Sequence, residues 1–411
     1  RPASPLLAYL INVRRQAAAH QIVDGVITLP TKQKDDWGER LSQAMMDPWT
    51  GVPILLVVLF ILYEFVGVFG AQTLVDFLEG TVFEGAINPW VDQVIAGLIP
   101  WPTLQALFGG PYGIITLGIR YAVALILPIV GTFFIAFSII EDSGYLPRLA
   151  MLIDGVFKRI GLNGRAVIPM VLGFGCDTMA TVVTRTLETK RERVIATMLL
   201  ALAIPCSAQL GVILAILADH PTALGLWLGA VAGIFLLVGF LAAQLMPGER
   251  PSFYMEIPPL RWPKWSNVLV KTYTRMEWYF REVIPFFILA SVLIWIGQVT
   301  GLFDLVVRGL QPVVHLLGLP DEAATVFLFG FFRRDYGAAG LYDIHASLSG
   351  TQLAVAAVTL TLFVPCIAQF AVMWKERGPK MALSMVAFIF PFAFLIGALM
   401  NVALASLETL P

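Results

Sequence analysis

Ala203-Ile204-Pro205-Cys206-Ser207-Ala208-Gln209 lies inside a long apolar stretch, and Phe363-Val364-Pro365-Cys366-Ile367-Ala368-Gln369 repeats its Pro-Cys-x-Ala-Gln core 160 residues later. Proline has no N–H. Pro205 therefore cannot donate to the carbonyl of Ala201, nor Pro365 to that of Thr361, so each site breaks a helix and exposes an acceptor. At membrane depth such a break survives only where protein or a water-lined cavity surrounds it. The remaining cysteine of the 411 residues follows a glycine pair, in Gly173-Phe174-Gly175-Cys176-Asp177. Three cysteines in or beside apolar segments read as free thiols, not as a disulfide framework.

Composition sets the class. The chain is 58% hydrophobic and 13% charged, with mean hydropathy +0.80, more apolar surface than a soluble protein of this length could hide. Apolar stretches at 52–70, 113–140, 194–218, 223–246, 282–303, 351–374 and 381–405 are expected to span. Residues 1–40, 141–193, 247–281 and 375–380 hold 23 of the 27 basic residues, and none lies between Arg40 and Arg120. The positive-inside rule makes those four stretches cytoplasmic and the basic-free stretch external. The external loop, 71–112, carries Asp76, Glu79, Glu84 and Asp92; it reads as an ordinary surface loop or as a funnel for cations. No secretory signal opens the chain, and no G-x-x-x-x-G-K-[ST] run occurs.

A second feature recurs with the Pro-Cys sites. Gly161-Leu162 precedes Gly173-Phe174 by twelve residues, and Gly318-Leu319 precedes Gly330-Phe331 by the same twelve. The offset is 157 residues here and 160 at the Pro-Cys sites. The segment Ala166 to Phe174 is too short to cross and reads as one arm of a re-entrant hairpin. Counting crossings turns the copies upside down relative to each other. The expected fold is thus an all-α polytopic membrane protein of inverted repeats, each with a re-entrant hairpin and a Pro-broken helix, with its site near the midplane. The first hairpin would enter from the cytoplasm, the second from outside.

Cys206 with Gln209, and Cys366 with Gln369, share a helical face at i and i+3. Asp177 is costly at hairpin depth unless paired, bound to a cation or capping a helix. Thiol, carboxylate, carboxamide and freed carbonyl together suit a borderline divalent metal, so Cys176, Asp177, Cys206, Gln209, Cys366 and Gln369 are the candidate metal ligands. Each cysteine alone could simply pack. At the 157 offset from Cys176-Asp177 stand Arg333-Arg334, expected to brace the second hairpin by pairing with Asp335 or another buried acid. Glu64 and Arg120 need partners, each other being one choice. Glu188 to Arg193 reads as a solvated helix start, and the four histidines show no ligand spacing.

Gly173-Phe174-Gly175-Cys176, Thr184-Arg185-Thr186-Leu187-Glu188, Arg191-Glu192-Arg193, Ile204-Pro205-Cys206, Phe332 through Gly340 and Leu362 through Ala368 together resemble the membrane domain of the ferrous iron transport protein B (FeoB) family. Asp177-Thr178-Met179 stands where many members have Asn-Val-Pro. The resemblance implies two Gate units similar to concentrative nucleoside transporters. It assigns 1–50 to a cytoplasmic connector from a G domain, 51–140 to two spans and the acidic loop, and 141–246 to the first Gate repeat. A cytoplasmic interfacial loop at 247–281, the second Gate repeat at 282–405 and a tail at 406–411 follow.

The resemblance further implies uptake of Fe2+ as transported substrate across a bacterial inner membrane, with the N-terminus cytoplasmic. The chain would be no enzyme and hold no GTP site, the GTPase residing in a G domain outside it. Expected partners are that G domain, small cytosolic Feo-family proteins, the lipid bilayer and further copies of the chain, with no nucleic acid. Alternatives are a Mn or Zn transporter, a nucleoside or other organic-solute carrier, and a non-transporting metal receptor.

Overall fold

The computed structural model describes residues 14–15, 17–19, 37–98, 100–109, 115, 119–120, 123–124, 127–218, 220–248, 257–363 and 365–408. Contacts divide the chain into Arg1–Ala44 and Met45–Pro411. In the first unit the described residues are helical, including the start of α1 (Trp37–Met46). The rest concerns the second.

The described residues are nearly all helical and contain no strand. Among the described residues four helical runs are long and apolar enough to cross a bilayer: Pro48–Gly97, Pro221–Leu245, Gly350–Arg377 and Pro379–Ser406. A fifth arises if α5 (Leu127–Ser143) and α6 (Tyr145–Arg159), bent by 85°, count as one. The protein is thus a multi-pass membrane protein, with four or five such helices among the described residues where seven spans were expected; the expected span 113–140 lies partly outside the described residues. The stretch 194–218 accounts for part of the difference, because the Pro205 break splits it into α9 (Lys190–Ala203) and α10 (Ser207–Leu217). At 1.5 Å per residue neither piece covers about 30 Å.

The external loop expected at 71–112 is largely helix. The first run begins as α2 (Pro48–Leu62), is π-wound over Tyr63–Leu74 and Phe77–Ile87, and ends in α3 (Asn88–Leu98); α4 (Pro102–Gly109) follows. Arg120 bonds Glu79 and Glu84 at 2.5 and 2.6 Å, so two acids of that stretch serve it as counter-ions.

Two helical hairpins sit at the centre. The first is α7 (Val167–Gly173) turning into α8 (Asp177–Val183), the second α14 (Glu322–Phe332) turning into α15 (Arg334–Ile344). Each precedes a broken helix, α9/α10 in the first case and α16 (Gly350–Leu362) with α17 (Ile367–Arg377) in the second. A long apolar helix closes each set, α11 (Pro221–Leu245) and α18 (Pro379–Glu408). Between the sets lie α12 (Trp265–Val299) and α13 (Leu302–Leu316). Burial sorts centre from rim: 71% of the apolar window of Gly350–Arg377 is buried, against 6% in Pro48–Gly97, whose Leu56, Phe60 and Ile61 face outward.

The backbone repeats more fully than the letters do. Gly144 and Gly301 both begin helices in the left-handed region (φ 82° and 70°), and Gly161 and Gly318 both end them there (φ 76° and 70°). Leu162 N–H donates to Phe157 and Leu319 N–H to Val314, the same reversal 157 residues apart. Thr189 and Ser349 each form a capping box, with Glu192 and Gln352. Packing repeats too. A Cβ on Gly239 would lie 2.8 Å from Ile160, and one on Gly397 2.7 Å from Leu317.

Lys271 joins α12 to α5 through Asp142 (2.6 Å) and Glu141 (3.1 Å), and its hydrogen bond to Asp142 leads in raising its pKa above the ordinary lysine value. The run Glu188 to Arg193 is a helix start as expected but only partly solvated, with Glu188 and Lys190 exposed. Glu192 is fully buried behind Thr189, Arg191 donates to the carbonyl of Ala243, and Arg193 Nε donates to that of Leu187 at 2.7 Å.

Candidate functional site

The two breaks and the two hairpin tips meet. Cys176 ends the first turn in extended backbone (φ −154°, ψ 111°) and caps α8; Arg333 does the same for α15 (φ −152°, ψ 131°). Both Pro-Cys sites adopt one conformation, with Cys206 (φ −71°, ψ 163°) heading α10 and Cys366 (φ −59°, ψ 159°) heading α17. Each hairpin's second arm packs on the far half-helix of the other set: α8 on α17, α15 on α10.

Close approach explains the glycines. A Cβ on Gly175 would stand 2.5 Å from the ring of Phe133, and one on Gly173 2.5 Å from Leu200. In the second hairpin a Cβ on Gly337 would lie 2.8 Å from the Cα of Gly330, so glycine lets the two arms touch. The first tip is fastened to the first break by Ser207, whose hydroxyl donates to Gly175 O at 3.1 Å.

Arg334 makes the decisive contact. Its guanidinium forms an ion pair with Asp177, and each residue is 3% exposed. The same group donates to the carbonyl of Ala201 and, at 2.8 Å, to that of Ile204. Ala201 O is the acceptor that Pro205 leaves unserved, so an arginine from the second hairpin repairs the first break. Bracing by Arg334 is as expected, with Asp177 as the acid. Arg333 instead places its guanidinium 4.7 Å from the ring centroid of Tyr336.

The second break receives reciprocal help. Gln209 Nε2 donates to Leu360 O at 3.1 Å, and Trp227 Nε1 to the hydroxyl of Thr361 at 3.0 Å. Sequence reading missed Ser207, Trp227 and the cross-repair by Arg334. The 157 offset that aligns Asp177 with Arg334, opposite charges on matched positions, was the available signal.

Of the six candidate ligands, Asp177, Gln209 and Gln369 are buried and the three cysteines are half-buried free thiols. Cys176 lies within electrostatic range of Asp177 and Cys366, and Cys366 within range of Arg333 and Arg334. Asp177 Oδ1, Gln209 Oε1 and both amide atoms of Gln369 have no hydrogen-bond partner among the described residues. Also among these residues, no three His, Cys, Asp or Glu side chains are grouped closely enough to hold a metal ion. The arrangement therefore joins a neutralised acid, the thiols of Cys176 and Cys366 within electrostatic range of it, and unfilled amide oxygens.

Comparison with known proteins adds an independent line. The family described as Gate, nucleoside recognition, matches residues 123–219 and 280–380; that described as ferrous iron transport protein B C terminus matches 224–275. The Fe(2+) transporter FeoB of Staphylococcus aureus (strain COL) is 25% identical over 386 residues, 86% of this chain and 57% of that protein. Its counterpart in Campylobacter jejuni is 31% identical over 410 residues, 87% of this chain and 64% of the relative. A Porphyromonas gingivalis protein named as a Fe(2+) transport protein A/FeoB fusion is 32% identical over 275 residues, 64% of this chain and 31% of its own length. The chain thus spans little more than half the length of the Staphylococcus relatives. No solved structure matches.

Proposed function

Because the chain belongs to the ferrous iron transport protein B family, we propose that it is the membrane part of a permease that imports Fe2+ through the centre of the two hairpin units. The observation that carries this reading is the meeting of both hairpin tips at the Pro205 break, where Arg334 bonds Asp177 and the break carbonyls. Broken helices and buried ionisable groups at membrane depth belong to substrate pathways.

The two units are inverted repeats in this proposal, similar to concentrative nucleoside transporters. Matched caps at 144/301, 161/318 and 189/349 support the repeat. Asp177 and Arg334 occupy equivalent positions, and a residue that touches its own counterpart lies near a two-fold axis. Cys176, Asp177, Cys206, Gln209, Cys366 and Gln369 are the proposed cargo ligands. Since Arg334 holds Asp177 in this conformation, the full set comes together only as the hairpins move. Soft thiols with harder oxygens suit Fe2+, and Mn or Zn would be its competitors.

In this reading the N-terminus faces the cytoplasm, the membrane is a bacterial inner membrane, and nucleotide coupling runs through residues 1–50. The fusion relative supports a small Feo-family partner. The test is uptake of radioactive Fe2+ into proteoliposomes. Serine at all three cysteines should cut uptake at least tenfold, and unchanged uptake would remove the thiols from the pathway.

A nucleoside carrier is the second reading, favoured by the description of the Gate family. A nucleoside needs convergent, unoccupied polar groups at the tips, whereas these tips pair with each other. Inhibition of uptake by uridine but not by Mn2+ would favour that carrier.

A further inference from the structure

We propose that the guanidinium of Arg334 is a tethered cation filling an oxygen-lined site, which an oxygen-preferring divalent metal ion occupies when the arginine withdraws. Three oxygens converge on the guanidinium: a carboxylate oxygen of Asp177 and the carbonyls of Ala201 and Ile204. A fourth is near, since Asp177 Oδ1 is buried with no hydrogen-bond partner among the described residues. Hard oxygens in this number suit Mn2+, Mg2+ or Fe2+ better than a thiophilic ion.

Cation and oxygens ride on different elements. Ala201 and Ile204 belong to the end of α9; Asp177 begins α8, which packs on α9, and the other arm of its hairpin is held there by the close approach of Gly173 to Leu200 and Ile204. Arg334 begins α15 in the second hairpin. A shift of that hairpin alone would withdraw the guanidinium and leave the oxygens grouped. A carboxylate and two carbonyls so exposed, yet still out of water, are costly without a replacement positive charge. The arginine is thus a built-in competitor that keeps the site neutral between ions.

The site itself stands on these contacts. Its use as a step in import, with cargo displacing Arg334, rests on the transport reading. The probe is Mn2+ alone, followed by electron paramagnetic resonance and thermal unfolding of the purified chain in detergent. Arg334→Ala should bind one Mn2+ more per chain than wild type and melt at a higher temperature in its presence. The Asp177→Asn/Arg334→Ala double variant should lose both effects. An Arg334→Ala protein that is monodisperse yet binds no extra Mn2+ would overturn the site, as would a double variant that keeps it. If Arg334→Ala folds only with Mn2+ present, the site stands; if Mn2+ cannot rescue it while the double variant folds without metal, the site falls. Failure of wild-type Fe2+ uptake would remove the transport reading and leave the Mn2+ result intact.

Discussion

The two hairpins share a turn and differ in almost everything it presents. Backbone angles at Cys176 and Arg333 agree within about 20°. Yet the first tip offers a thiol and a carboxylate, the second two guanidiniums. The first hairpin's arms are seven residues each, the second's eleven. Caps and close glycine contacts hold the shared backbone, and they constrain no charge at the tip. The tips face each other, so their charges are not independent. Two carboxylates in this dry setting would repel, and so would two guanidiniums. Two matched tips that touch each other must differ in charge there.

The largest effect should come from breaking that complementarity. Asp177→Asn leaves a buried guanidinium without its counter-charge and should cost about 3–5 kcal/mol, read as a fall in melting temperature in detergent. Asp177→Asn/Arg334→Met should recover more than half of the loss, and additive single effects would show that the pair is not coupled. The exchange Asp177→Arg/Arg334→Asp sharpens the comparison. It restores the ion pair but strands the carbonyls of Ala201 and Ile204, so it should remain less stable than wild type.

Glycine contacts come next. Gly175→Ala would push a methyl into Phe133 and Gly337→Ala one into the backbone at Gly330, each costing about 1–3 kcal/mol in the same melt. Gly80, with nothing within 4 Å, should accept alanine without such a clash. The capping boxes follow. Thr189→Ala should cost about 1–2 kcal/mol because it uncovers the buried Glu192, while the exposed Ser349→Ala should cost about 0.5–1 kcal/mol.

A comparably small stability effect separates the two glutamines. Gln209→Leu loses the bond to Leu360 O and should cost about 1 kcal/mol, whereas Gln369→Leu should be neutral or stabilising. A Gln369→Leu protein that melts normally but takes up Fe2+ poorly would mark Gln369 as a pathway residue. Normal uptake would remove it from the proposed ligands.

Much of this was legible before any coordinates. Pro205 and Pro365 announced both breaks, since a residue without an N–H cannot continue the ladder. Gly161/Gly318 and the Pro-Cys pair pointed to the matched left-handed turns and matched helix starts. The segment ending at Phe174 read as a hairpin arm because it is too short to span. The 71–112 stretch misled, because acids and tryptophans without an apolar run look like a loop whether or not they wind into helix. The Glu188 to Arg193 run misled in part: Glu188 and Lys190 are solvated, but Glu192 is buried and neighbouring carbonyls receive Arg191 and Arg193.

By itself the sequence determined the membrane class, the helix breaks, the matched glycine turns and the identity of the charged tips. Those properties depend on hydropathy, a missing donor and local spacing, all of which are written along the chain. Only the tertiary structure decided that Asp177 meets Arg334, that Arg334 repairs the first break, and that Gln209 reaches Leu360 beside the second. Those contacts join residues more than 100 positions apart. Which unserved carbonyl a guanidinium reaches depends on how the helices pack in three dimensions, and no periodicity along the chain records it.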